Sequence, residues 1–114
     1  MRLLRSGPQL RLSPYSLVEL DLLISSGRIR VRLPDFYVHL GEVLEFYGVA
    51  IPPPRARHLA VAWSLRRRHG LTYFDGLHAA TAIVEGEAIA SYDSSYSRVE
   101  GLEYMHPSRL AGRG

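Results

Sequence analysis

Leu71-Thr72-Tyr73-Phe74-Asp75-Gly76-Leu77-His78-Ala79-Ala80-Thr81-Ala82, followed across Gly86 by Ala88-Ile89-Ala90-Ser91-Tyr92-Asp93, is the stretch that decides the fold. Its first part predicts an alanine-rich helix over about residues 74–84, whose small side chains let a sheet or another helix come close. Gly86 is a stop signal, and residues 87–92 then read as an apolar strand. A helix running straight into a strand belongs to an α/β domain with a mostly parallel sheet. In such sheets active groups gather at the carboxyl ends of strands and at helix starts. Asp93 stands at a strand end and Asp75 at a helix start.

Upstream, residues 10–12 read as a short strand leading into Ser13-Pro14, with Ser13 as N-cap and Pro14 at the first helical position. Leu17, Leu20, Leu23 and Ile24 recur at helical spacing as far as Gly27, and Glu19 lies in the middle of that helix. Residues 28–33 alternate Arg28, Arg30 and Arg32 with Ile29, Val31 and Leu33, which predicts a half-buried extended segment. Pro34 opens a helix to about Tyr47, and Pro54 opens another ending in Arg66-Arg67-Arg68 before Gly70. Residues 49–51 are a strand candidate, residues 95–99 a short helix and residues 102–105 a last strand. A ragged tail is expected from Pro107.

The chain has 114 residues, 46% of them hydrophobic, which suits one domain with one core. Cysteine is absent, so disulfides, thiol nucleophiles and Cys-based metal sites are excluded. All 14 basic residues are arginine, which excludes lysine chemistry such as a Schiff base or a P-loop. Asparagine is missing too, as suits a thermophile or a GC-rich genome. No secretory signal or membrane-spanning run is visible, so a cytoplasmic protein with no membrane role is expected. Residues 1–70 carry eleven arginines against five acids, a net +6, whereas residues 71–114 carry three against six, a net −3. A basic part joined to an acidic part suits gripping a polyanion and holding a cation.

Each acid also has an ordinary explanation. Asp75 fits a capping box after Thr72, Asp93 with two following serines fits a turn, and Glu19 could face solvent. The arginine triplet could simply complement the carboxyl end of its helix dipole. Together, however, Glu19, Asp75 and Asp93 would form an oxygen-rich cluster, and carboxylates held close repel one another unless a cation joins them. His39, His58, His69, His78 and His106 show no HExxH spacing, so a zinc enzyme is not expected. A serine nucleophile elbow and a glycine-rich phosphate loop are also missing.

Residues 13–20 (Ser-Pro-Tyr-Ser-Leu-Val-Glu-Leu), residues 71–82 and Ser91-Tyr92-Asp93 together resemble PIN domains, most closely toxins of the VapC type from archaea and bacteria. The likeness spans about residues 10–107 of what reads as a single domain over 1–114. It implies a three-layer α/β/α sandwich and an Mg²⁺- or Mn²⁺-dependent ribonuclease acting on structured RNA such as tRNA. A cognate antitoxin and a homodimer are the partners it suggests. Glu19, Asp75 and Asp93 match three of the family's four metal-binding acids, with Ser91 and His78 beside them. Arg28, Arg30, Arg32, Arg66, Arg67 and Arg68 are the candidate RNA contacts.

One part of the pattern is missing. PIN domains begin with a strand near the middle of the sheet that ends in an aspartate, and nothing acidic precedes Glu19 here. Residues 1–8 do not read as a buried strand, so two sheet edges would be left open. The strand could lie upstream of Met1, which is the favoured expectation, or come from a partner chain. It could also be lost, leaving a non-catalytic module that binds RNA or protein.

Overall fold

The computed structural model describes residues 1–111. Its four-stranded sheet has the order β2-β1-β3-β4, with β1 at Leu3–Ser6, β2 at Gln9–Leu12, β3 at Ala88–Ala90 and β4 at Tyr104–Met105. The helices are α1 (Tyr15–Ser25), α2 (Asp35–Phe46), α3 (Ala56–His69), α4 (Tyr73–Glu85) and the short α5 (Ser108–Ala111). A 3-10 turn, Ser94–Arg98, links β3 to β4. The tail expected from Pro107 therefore begins with a short helix, and its residues 112–114 lie outside the described part.

The open slot in the sheet is filled from within. Residues 1–8 hold a strand after all: β1 pairs antiparallel with β3 on one side and with β2 on the other. Leu4 lies opposite Ile89, and both side chains are fully buried. The missed signal is Gly7-Pro8, a turn dipeptide between two short Leu/Arg segments. Gly7 takes a φ of 59°, and the hairpin closes with Ser6 opposite Gln9.

The expectation of a mostly parallel sheet is not met, since two of the three strand pairings are antiparallel. Both involve β1. β3 and β4 run parallel, and β2 makes a parallel bridge from Arg11 to Ala50, with the Leu12 N–H donating to the Ala50 carbonyl at 2.8 Å. The strand candidate at residues 49–51 is thus reduced to that one bridge. Every pairing outside β1 is parallel, and β1 is the one reversed strand, inserted in the centre.

Helix α4 is the hub. Its residues 76–82 are buried, and it packs against α3, α1 and β3. A Cβ at Gly76 would lie 2.8 Å from Arg66 Cγ, so a glycine is what lets α3 approach there. Ser13 does not cap α1 as expected, because Pro14 takes the cap position and the Ser13 hydroxyl turns to His78. Residues 28–33 form no strand. Arg28, Arg30 and Arg32 are exposed, but Ile29 and Leu33 are exposed as well, so the alternation marks no buried face. Helix α2 buries no residue, and Val38, Val43, Phe46 and Tyr47 on or just after it are exposed.

A second polar cluster ties β2 to α3 and α4. Arg11 pairs with Glu87 at 3.3 Å and lies 3.9 Å from Glu85. Glu85 also accepts from Arg55 and from His58, each at 3.0 Å, and the Tyr15 hydroxyl bonds His58 Nδ1 at 2.8 Å. Burial pushes the Glu87 carboxyl above the usual range despite Arg11, and its Oε1 has no partner among the described residues. Arg11→Met is expected to destabilise the fold by about 2–3 kcal/mol near pH 7.5, because it strands a buried charge. A raised carboxyl pKa means that stability falls as pH rises through it. The deficit of the variant should therefore shrink toward pH 5, and urea denaturation at both pH values measures it.

Candidate functional site

The three sequence-predicted acids lie around the carboxyl end of β3 and the start of α4. Asp75 sits in the first turn of α4, where Thr72 accepts the Asp75 N–H at 3.3 Å. Only half of the expected capping box is made, for the Asp75 carboxylate does not reach back. Its Oδ1 accepts the Tyr96 hydroxyl at 2.8 Å instead. Tyr96 is fully buried on the 3-10 turn, and burial raises its pKa, so its phenol stays protonated and donates.

Glu19 is partly buried on α1, and His78 of α4 is fully buried. His78 Nε2 donates to Glu19 Oε1 at 2.8 Å, while its Nδ1 accepts the Ser13 hydroxyl at 2.7 Å. That network assigns a neutral ring. Burial holds the His78 pKa down, and the bond from His78 holds the Glu19 carboxyl below its ordinary value. His78 therefore orients Glu19, as a neighbour of the acids rather than one of them.

Asp93 is exposed and behaves as the turn reading expects, with Oδ1 accepting the Ser95 N–H at 2.9 Å. Hydrogen bonding from Ser95 keeps its carboxyl low, with Arg2 adding to the effect. Ser91 is buried and accepts the Asp93 N–H at 3.0 Å, so it fixes the backbone of the turn.

Sequence reading missed Arg2 and Tyr96, the two groups that meet Asp75. The Arg2 Nη2 atom lies 3.7 Å from Asp75 Oδ1, and its Nε donates to the Tyr96 hydroxyl at 3.2 Å. Its guanidinium carbon stands 5.7 Å from the centre of the Tyr96 ring. Its backbone is anchored too: the Arg2 N–H donates to Ser16 Oγ, and the Ser13 N–H donates to the Arg2 carbonyl, both at 2.9 Å. Burial opposes its charge, but Tyr96, Asp75 and Glu19 outweigh that and hold the guanidinium more firmly charged. No spacing pattern marks Arg2 or Tyr96, since their partners are far away in sequence.

A cleft of about 510 Å³ opens between α1 and α4, with Glu19, Leu23, Arg28, Thr72 and Tyr73 on its walls. A smaller recess of about 240 Å³ joins Arg2, Ser16 and Ile29 to the other side of Glu19. Of the candidate RNA contacts, Arg28 lines the larger cleft. Arg66 lies over Tyr73 at 4.9 Å and Arg67 over Trp63 at 4.9 Å, and Arg68 reaches Glu100 at 3.7 Å. Arg30 and Arg32 are exposed and lie away from these contacts.

The fold is an α/β domain with Asp75 in the first turn of α4 and Asp93 just past the end of β3. The PIN domain model matches residues 2–102, and the chain belongs to the PIN domain family. No curated protein and no solved structure gives a significant match. PIN domains are generally divalent-metal-dependent nucleases. The residues present here do not fit such an ion. Among the described residues no three acidic or histidine side chains converge as a metal site, and the Arg2 guanidinium stands beside Asp75. No helix among the described residues is long and apolar enough to cross a membrane.

Proposed function

We propose that this PIN domain binds RNA along the cleft between α1 and α4, as a binding module whose acidic centre is closed by its own arginine. The observation that carries this reading is Arg2 beside Asp75 and Tyr96, where a cation is already supplied by the chain. The cleft offers the two elements that single-stranded RNA needs. Arg28 provides charge for a phosphate, and the half-exposed Tyr73 ring, backed by Arg66, provides a face for a base. A cytoplasmic setting, where RNA is at hand, goes with this reading. A homodimer would give the bare apolar side of α2 something to cover it.

Fluorescence anisotropy with a short labelled RNA tests the binding. Arg28→Ala combined with Arg66→Ala should weaken binding about tenfold and flatten the salt dependence by about one to two units of slope. Unchanged affinity and slope in the double variant would remove the cleft from the RNA path.

A second reading is a Mg²⁺- or Mn²⁺-dependent ribonuclease of the VapC toxin type, held in check by an antitoxin. It is favoured by one feature, the placement of Asp75 in the first turn of α4 and of Asp93 just past β3. Its signature is RNA cleavage in Mn²⁺ that disappears in folded Asp75→Asn or Asp93→Asn. The binding-module reading expects no cleavage by the wild-type protein with or without Mn²⁺.

A further inference from the structure

We infer that Arg2 is a built-in counterion that takes the place of a divalent cation in the acidic centre, and that the antiparallel direction of β1 brings it there. The inference rests on the binding-module reading and explains why the centre is closed.

β1 runs antiparallel to β3, with Leu3 opposite Ala90. The amino end of β1 therefore lies beside the carboxyl end of β3, where Ser91 and Asp93 follow. A parallel strand in the same slot would bring its last residue to this edge. The reversed strand brings the residue just before its first, which is Arg2. Run the other way, the same strand would bring Ser6 there, so the direction of β1 is what supplies the cation. The arginine is held in place, because its main chain is bonded to Ser13 and Ser16 and its side chain to Tyr96.

The exchange alters what the centre can do. A guanidinium neutralises carboxylates and donates fixed N–H bonds, but it carries no exchangeable water and does not acidify one. It also belongs to the chain, so chelators cannot remove it. With Arg2 present, a divalent ion approaching Asp75 meets a like charge. Without it, Asp75 loses its nearby cation.

Thermal unfolding and isothermal titration with MnCl₂ alone test this. Wild-type protein should show no saturable Mn²⁺ binding and no gain in Tm. Arg2→Gln and Arg2→Met remove the charge, leave a shorter unbranched stem and keep the backbone bonds of residue 2. Either should gain about 5 °C or more in Tm in millimolar Mn²⁺, and Asp75→Asn added to it should cancel the gain. A folded Arg2 variant indifferent to Mn²⁺ overturns the inference. So does wild-type Mn²⁺ binding that is lost in Asp75→Asn, a measurement that holds even if neither Arg2 variant folds. The RNA measurement above is independent: if Arg28 and Arg66 prove irrelevant to RNA, the binding reading falls while the Mn²⁺ result still stands.

Discussion

Leu4→Ala is expected to cost the fold about 3 kcal/mol, and Leu4→Asp to prevent folding. Leu4 is fully buried and lies between Arg11 of β2 and Ile89 of β3, at the centre of the sheet. Truncation removes its packing from the core that also holds Tyr15, Leu77 and Ile89. An aspartate there would place an unpaired charge where no water reaches. Urea denaturation followed by circular dichroism gives the value. A loss below about 1 kcal/mol, the scale of a surface substitution, would mean that β1 does not occupy the central slot. Because Arg2 reaches the acids only through β1, that result would also detach it from Asp75.

His78→Leu is expected to cost about 2–3 kcal/mol, since the buried Ser13 hydroxyl and the Glu19 carboxylate both lose their partner. His78→Ala should cost about 1 kcal/mol more through the cavity it leaves. The pH dependence of the wild-type protein follows from the same group. Burial depresses the folded-state pKa of His78 below the ordinary imidazole value of about 6.5, so the folded ring binds a proton less readily than the unfolded one. Stability from this source is complete above about pH 6.5 and falls as pH drops through the depressed value. Glu19, also depressed, adds to the loss at lower pH. His78→Leu should therefore show a flatter stability profile between about pH 7.5 and 5.5 than the wild-type protein. A profile as steep as that of the wild type would assign the acid sensitivity elsewhere.

The two halves of the site have different energetic characters. Glu19 and His78 form a buried relay whose loss is felt by the whole fold. Arg28 on the cleft is exposed, and its replacement should weaken RNA binding with little effect on stability. Such surface variants can therefore separate function from folding.

Local signals carried much of the architecture. Gly27, Gly70 and Gly86 ended their helices as expected, and the small residues of α4 marked the helix that packs most closely. The turn geometry at Asp93 was also legible, because it depends on a neighbour two residues away. Residues 28–33 misled, because alternation fixes a face only where a sheet exists to bury it. Ser13 misled in another way. Its hydroxyl suits a helix cap, but a buried histidine nearby offered it a better partner.

What the chain alone determined was the membership of each residue in a helix, strand or turn wherever short-range periodicity and glycine or proline punctuation speak clearly. The direction of β1 could not be read in that way, since a four-residue strand pairs equally well from either end until the rest of the sheet is present. That direction decides whether Arg2 or Ser6 lies on the side of Asp75, so the ion pair with Asp75 depends on tertiary structure. Arg2 and Tyr96 stand 94 residues apart, and only the folded sheet and its following turn bring them together.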